Sequence, residues 1–232
     1  TTATAPPPVN ATTNKTYRTT KAAAIALKMR VRLHMGDWAN VIAEGNKLVP
    51  TTPTSLTSYP GFTSPVGGWK MEISPVTPFT AGGWQGNETI FSIRNASTDN
   101  GGVNGALPNM LGNTSIGGRG IIRVSPVVYN LPEFLCNDTR RNMMGLIGSG
   151  ATANYVTTKY IDPTTSTDPA PLIRYAEVLL TLAEAEGRLN GVTTRSLQLV
   201  NEVRNRALPG GPGSINTPPA LAYTAASFAN AN

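Results

Sequence analysis

The fold is decided by residues 171–189, Pro171-Leu172-Ile173-Arg174-Tyr175-Ala176-Glu177-Val178-Leu179-Leu180-Thr181-Leu182-Ala183-Glu184-Ala185-Glu186-Gly187-Arg188-Leu189. Past the opening proline the run consists largely of good helix formers, and Ala176, Leu179, Leu180, Ala183 and Gly187 share one stripe at helical spacing. Small residues on that stripe let a neighbouring helix come close. Asn190-Gly191 closes the helix, Thr193 or Thr194 caps the next, and Leu197, Val200, Val203 and Ala207 give the next helix an apolar face before Pro209. The pattern predicts an αα-hairpin over residues 171–208.

The same plan stands near the other end of the sequence. From Thr20, Lys21 to Leu33 is rich in Ala, Leu, Lys and Arg without glycine or proline, Gly36 stops the helix, and Asp37 is placed to cap the next. Trp38, Val41, Ile42, Gly45, Leu48 and Val49 then fall on one face before Pro50. Trp38 belongs to that face and is assigned to the core. Two such hairpins, at 20–50 and 171–208, predict a mainly α, tetratricopeptide-like scaffold.

Residues 51–170 hold most of the 23 glycines and 19 prolines. So long a stretch without structure would be improbable inside a compact domain, which predicts a loop-rich insert with short elements. Strands are expected at Thr89–Arg94 and Gly120–Val124, and a short helix from about Ser125 to Phe134. Residues 1–19, with three consecutive prolines, read as a linker or an arm laid over the core, and 209–232 as a flexible tail.

Composition narrows the chemistry. The 232 residues carry 19 basic and 13 acidic side chains, net charge +6, with only 14% of positions charged. The densest basic groups, Lys28/Arg30/Arg32 and Arg204/Arg206, lie inside the predicted helices and do not form a phosphate track, so no nucleic-acid partner is expected. A single cysteine, Cys136, excludes an internal disulfide and a Cys-only metal site, and a single histidine, His34, argues against zinc sites and hydrolytic triads. No run reaches the roughly 20 apolar residues of a membrane span. No signal peptide opens the sequence, which begins at Thr1 rather than Met and reads as part of a longer protein.

These landmarks carry a resemblance. Ala24 to Val41, centred on Leu33-His34-Met35-Gly36-Asp37-Trp38, resembles the helical hairpin of the SusD/RagB family of outer-membrane nutrient-binding lipoproteins. Asn87-Glu88-Thr89-Ile90-Phe91-Ser92-Ile93 is similar to that family's EIIFSI strand, and Asn137-Asp138-Thr139-Arg140 to its DPR element ahead of Lys159-Tyr160. Ile173 to Leu180, Ala183-Glu184-Ala185 and Asn201-Glu202-Val203-Arg204-Asn205-Arg206-Ala207 form the nearest match. The landmarks keep the family's order across residues 20–208. The lipid-modified N-terminal cysteine, the leading helices and the C-terminal ERxxEL…DLxR segment have no counterpart, and the sequence reads as one partial SusD-like domain.

The resemblance implies an α-α superhelix that captures oligosaccharide or polysaccharide at the cell surface. It further implies a lipid anchor in the outer membrane, outside this sequence, and delivery to a SusC-like TonB-dependent transporter. No cofactor and no resident metal are expected; a calcium site in the insert has no EF-hand spacing behind it.

Sugar sites pair an aromatic platform with hydrogen-bonding side chains. Of 5 Phe, 3 Trp and 7 Tyr, five fall in one short window: Tyr59, Phe62, Trp69, Phe79 and Trp84. Glycine pairs stand directly before both tryptophans of that window. The candidate ligand-binding set is Trp69, Trp84, Tyr59, Phe79, Lys70, Gln85 and Asn87. Packing of the insert onto the hairpins is the competing explanation for the aromatics, and both stay open at the level of sequence.

Glycoside hydrolysis needs two carboxylates facing each other across the bond, and no pair among the 13 acids has such a setting; Glu177 and Glu184 are expected to pair with Arg204 and Arg206 on the following helix. The glycine-rich runs at 117–120 and 145–150 lack the strand and helix context of a nucleotide loop and read as turns. The expectation is a non-enzymatic glycan-binding protein, with a helical-repeat interaction scaffold lacking its own sugar site as the alternative.

Overall fold

The computed structural model describes residues 16–55, 58–132, 134, 137–150, 153–208 and 223–228. The expected arm as far as residue 15, Cys136 and most of the expected tail lie outside the described residues.

Helix α1 (Lys21–His34) starts where Thr20 caps it, the hydroxyl accepting from the Ala23 amide at 3.1 Å. Ala22, Ala23, Ile25, Ala26 and Met29 form its buried face. Gly36, at φ +70°, takes the left-handed turn that few other residues adopt, and α2 (Trp38–Gly45) follows. Near the other end, α6 (Tyr175–Asn190) and α7 (Thr194–Asn205) form the second hairpin. Thr193 and Ser196 exchange side chain and backbone in a capping box.

The two hairpins pack as one helical layer, with α2 lying on both α1 and α6. Gly45 is the point of closest approach: a Cβ there would stand 2.8 Å from Leu182. Met29, Val41, Leu48, Leu179, Leu182 and Leu199 fill the interior, and each contributes about 1.5–3 kcal/mol by leaving water. Trp38 is half-buried against this core, with the Arg188 guanidinium over its ring at 5.1 Å.

The second hairpin begins later than residue 171. Residues Ala170–Arg174 form a strand, β4, antiparallel to β1 (Thr89–Ile93), with Thr89 opposite Arg174 and Ile93 opposite Ala170. The strand is imposed from outside the segment: β1 needs a partner, and Arg174 is held there by Glu88 at 2.9 Å. Glu88 is fully buried and also takes Arg206 of the α7 end at 2.5 Å. One carboxylate thereby ties β1, β4 and the last turn of the hairpin together, and removing it would leave two guanidinium groups without their partner.

The insert adds α3 (Gly102–Gly105), α4 (Leu107–Leu111) and α5 (Pro126–Tyr129), then a hairpin of β2 (Met144–Ile147) and β3 (Asn154–Thr157). The expected strand at Gly120–Val124 is absent. That segment runs irregularly, and its last residue donates one bond, from the Val124 amide to the Tyr155 carbonyl at 2.8 Å. Met144–Ile147, expected as part of a glycine-rich turn, is a strand because Asn154–Thr157 offers it a complete ladder. The architecture is mainly helical with a few short strands.

Candidate functional site

The aromatic window of residues 59–84 is interior. Trp69 and Phe62 are fully buried in the main core, and Tyr59 is packed against it. Burial drives the Tyr59 hydroxyl well above the ordinary phenol range. Trp84 is 6% exposed, with Tyr17 edge-on at 6.0 Å and the Arg94 guanidinium over its ring at 4.6 Å. Phe79 sits in a separate small cluster with Met143 and Tyr160, under Lys159 and Arg174.

The glycines ahead of the tryptophans explain this burial. Gly67, at φ +88°, turns the chain so tightly that a Cβ would meet the Trp69 indole at 2.7 Å, and a Cβ on Gly83 would stand 2.1 Å from the Thr77 carbonyl oxygen. Here glycine permits close packing. The rings therefore do not assemble into one open platform. The polar members stay nearer the surface: Gln85 is exposed, and half-buried Lys70 donates its amide to the Asn87 carbonyl at 3.1 Å while Asn87 donates to Glu72.

Open aromatic surface occurs elsewhere. Tyr129 of α5 stacks on Tyr155 of β3 with ring centres 3.7 Å apart, and Phe134 stands edge-on to Tyr129 at 6.3 Å. Arg141 lies over both Tyr129 and Phe134, at 4.2 and 4.5 Å, and donates to their carbonyls. This staple holds the loop after α5 as one wall of a groove of about 450 Å³. Its floor and far wall are Met143 and Met144 with Leu180 of α6 and Val200 and Val203 of α7, and Tyr223 closes the rim. The volume is that of a small-ligand site. Residues 128, 134, 159, 204 and 223 are too scattered in sequence for any local signal to group them.

Among the described residues, charge in the groove is one-sided: Arg140, Lys159 and Arg204 line it, and no carboxylate does. Arg140 is paired with buried Asp138 at 2.6 Å. Arg204 stacks on Tyr223 at 4.2 Å, its Nε buried without a partner among the described residues. No carboxylate among the described residues pairs with Lys159, whose pKa is lowered by burial and by the nearby charge of Arg174.

The carboxylates are committed to structure. Glu177 pairs with Arg30 of α1 at 2.7 Å, Glu184 with Arg188 one turn away, and Arg206 with Glu88. The expected bridges from Glu177 and Glu184 to Arg204 and Arg206 are therefore replaced by others, because α6 turns Glu177 toward α1. Glu202 is fully buried and accepts the Gly61 amide at 2.9 and 3.1 Å. Burial pushes its carboxyl up to about 7, against the opposing pull of the Gly61 and Phe62 amides. Asp162 is desolvated, which raises its pKa, but the donors of Thr165 and Thr167 outweigh this and hold it well below the carboxylate range. His34 is exposed at the end of α1. Among the described residues no three His, Cys, Asp or Glu side chains converge as metal ligands, and no helix is long and apolar enough to cross a membrane.

Known structures superpose on this architecture. A SusD superfamily protein from Bacteroides fragilis matches with TM-score 0.63 and 25% identity, over 91% of this chain and 44% of that one. The chain has a SusD-like fold. Residues 127–212 match the SusD family, which bears out the resemblance to SusD/RagB proteins. A laminarin binding SusD-like protein matches with TM-score 0.60 and 21% identity, over 84% of this chain and 49% of that one. Surface glycan-binding protein A from Bacteroides thetaiotaomicron, in complex with laminarihexaose, matches with TM-score 0.60 and 17% identity, over 88% of this chain and 50% of that one. The chain spans about half the length of these structures or somewhat less. No curated protein matches it.

Proposed function

We propose that this chain is the glycan-capturing part of a surface nutrient-binding protein of SusD type, without catalytic activity. It holds an oligosaccharide for delivery to a SusC-like TonB-dependent transporter in the outer membrane. The observation that carries this reading is the match of its fold, over most of its length, to SusD-like structures that include a laminarin-binding protein and a laminarihexaose complex. The groove beside Phe134 and Tyr223 adds local support, because it joins aromatic and apolar surface to hydrogen-bonding groups, as a sugar site requires. The setting of the acids agrees with a binding role. Among the described residues Glu88 and Glu202, the most buried of the glutamates, are held by guanidinium or amide donors inside the core.

Calorimetric titration of the chain with a panel of oligosaccharides tests the proposal. Saturable binding of at least one member without release of shorter sugars is the expected result, and turnover of a bound glycan overturns it. The scaffold alternative draws on one feature, the exposed apolar stripe of Leu27 and Val31 on α1 with Met35 just past its end. It predicts no response to any member of the panel.

A further inference from the structure

The proposal above leaves the kind of saccharide open, and the groove's lining narrows it. A neutral sugar presents hydroxyls that donate as well as accept, so its sites mix acids and amides with basic side chains. Among the described residues, the polar side chains of this groove are Arg140, Lys159, Arg204 and Tyr223. Arginine and lysine only donate, which leaves the Tyr223 hydroxyl as the one side-chain oxygen that the described lining offers. Carboxylate and sulfate groups only accept, and are the complement of such a surface.

The state of the cations strengthens the case. Across the rest of the described structure most guanidinium groups have a carboxylate, as with Arg30 on Glu177, Arg174 and Arg206 on Glu88, and Arg195 on Glu186. Lys159 and Arg204 have none among the described residues, although Lys159 is partly desolvated and the Arg204 Nε is buried. Withdrawing a cation from water without a counter-charge is unfavourable. The rings of Phe79 and Tyr223 offset part of that cost at these two positions; no carboxylate among the described residues offsets the rest, and an incoming anion would.

We propose, resting on the glycan-capture reading, that the groove between α5 and the α6–α7 pair selects an anionic saccharide. Its carboxylate or sulfate groups lie against Lys159 and Arg204, and the C–H faces of its rings lie against Phe134 and the apolar floor.

The test is calorimetry on this chain with an oligogalacturonate, a sulfated oligosaccharide and neutral laminarihexaose, at low and at high salt. An acidic oligosaccharide should bind at least about tenfold more tightly than the neutral one at low salt, and the margin should shrink as salt screens the charges. Whether the uronate or the sulfated probe binds more tightly identifies the source of the anion. Lys159→Gln and Arg204→Gln should each weaken acidic binding by about tenfold, the loss of one charge-assisted hydrogen bond. Lys159→Arg, which keeps the charge, should retain most of it. Thermal unfolding of each variant separates loss of binding from loss of fold. Equal binding of neutral and acidic probes, or glutamine variants that fold and bind as the parent does, overturns the selection for charge and leaves glycan capture standing. Failure of all three probes to bind overturns both.

Discussion

Two groups of aromatic side chains divide this molecule. Those at residues 59–84 are close together in sequence and are packed inside, with Trp69 fully buried and Trp84 nearly so. Phe134 and Tyr223 are far apart in sequence and line a surface groove with three basic side chains, and the stacked pair Tyr129 and Tyr155 stands against Phe134. The first group is legible as a cluster because it is a run of sequence neighbours, most of which seat the insert on the main core. The second is assembled by α5 and the loop after it, strand β3, and the segment at Tyr223 that Asn201 holds against α7, which only the fold brings together. Density of aromatics along a chain thus measures packing demand at least as much as it measures binding.

Substitutions can break or sharpen this contrast. Trp69→Ala should cost the most, about 3–5 kcal/mol of unfolding free energy in a denaturant titration, because a large ring leaves a closed cavity. A loss below about 1 kcal/mol would mean that Trp69 is not core. Gly83→Ala should follow at about 2–3 kcal/mol, since the added methyl collides with backbone that cannot step aside. In the half-buried surface group, Tyr155→Ala should cost less, about 0.5–1.5 kcal/mol for the ring pair.

Glu202 belongs to the interior side of the contrast and gives it a pH signature. The folded carboxyl holds its proton to about 7, whereas an unfolded glutamate releases it in the ordinary carboxylate range. Its favourable contribution is therefore complete below that range and is lost as pH rises toward 7. The chain should be more stable near pH 5 than near pH 8, with this group supplying on the order of 2–3 kcal/mol of the difference. Glu202→Gln should flatten that part of the profile. An unchanged profile would show that the buried carboxyl does not titrate as described.

The helical layer was readable because its signals are local. The Thr20 cap, the Gly36 turn and the Thr193 start each depend on a few adjacent residues; the turn stands where the sequence placed it, and the cap of the last helix is the first of its two candidates. Residues 170–174 were not readable as a strand, because Leu172-Ile173-Arg174 runs into α6 without a stop signal and takes strand geometry only from β1 and the Glu88 ion pair. The same holds for Met144–Ile147, whose partner lies beyond a glycine turn. The ion pairs were misplaced for a similar reason, since helix rotation decides whether Glu177 meets Arg30 or α7. Of the glycines ahead of Trp69 and Trp84, Gly67 lets the backbone touch the Trp69 indole and Gly83 lets it touch the Thr77 carbonyl, contacts that the sequence alone does not display.

The central claim is that ligand is held by the dispersed surface set and not by the dense window. Its most direct test is calorimetric titration of an acidic oligosaccharide into Arg204→Gln, a change on the groove, beside Gln85→Ala, a change on the exposed edge of the window. The account predicts about tenfold weaker binding for Arg204→Gln and parental binding for Gln85→Ala. Parental binding for Arg204→Gln together with loss for Gln85→Ala would contradict it.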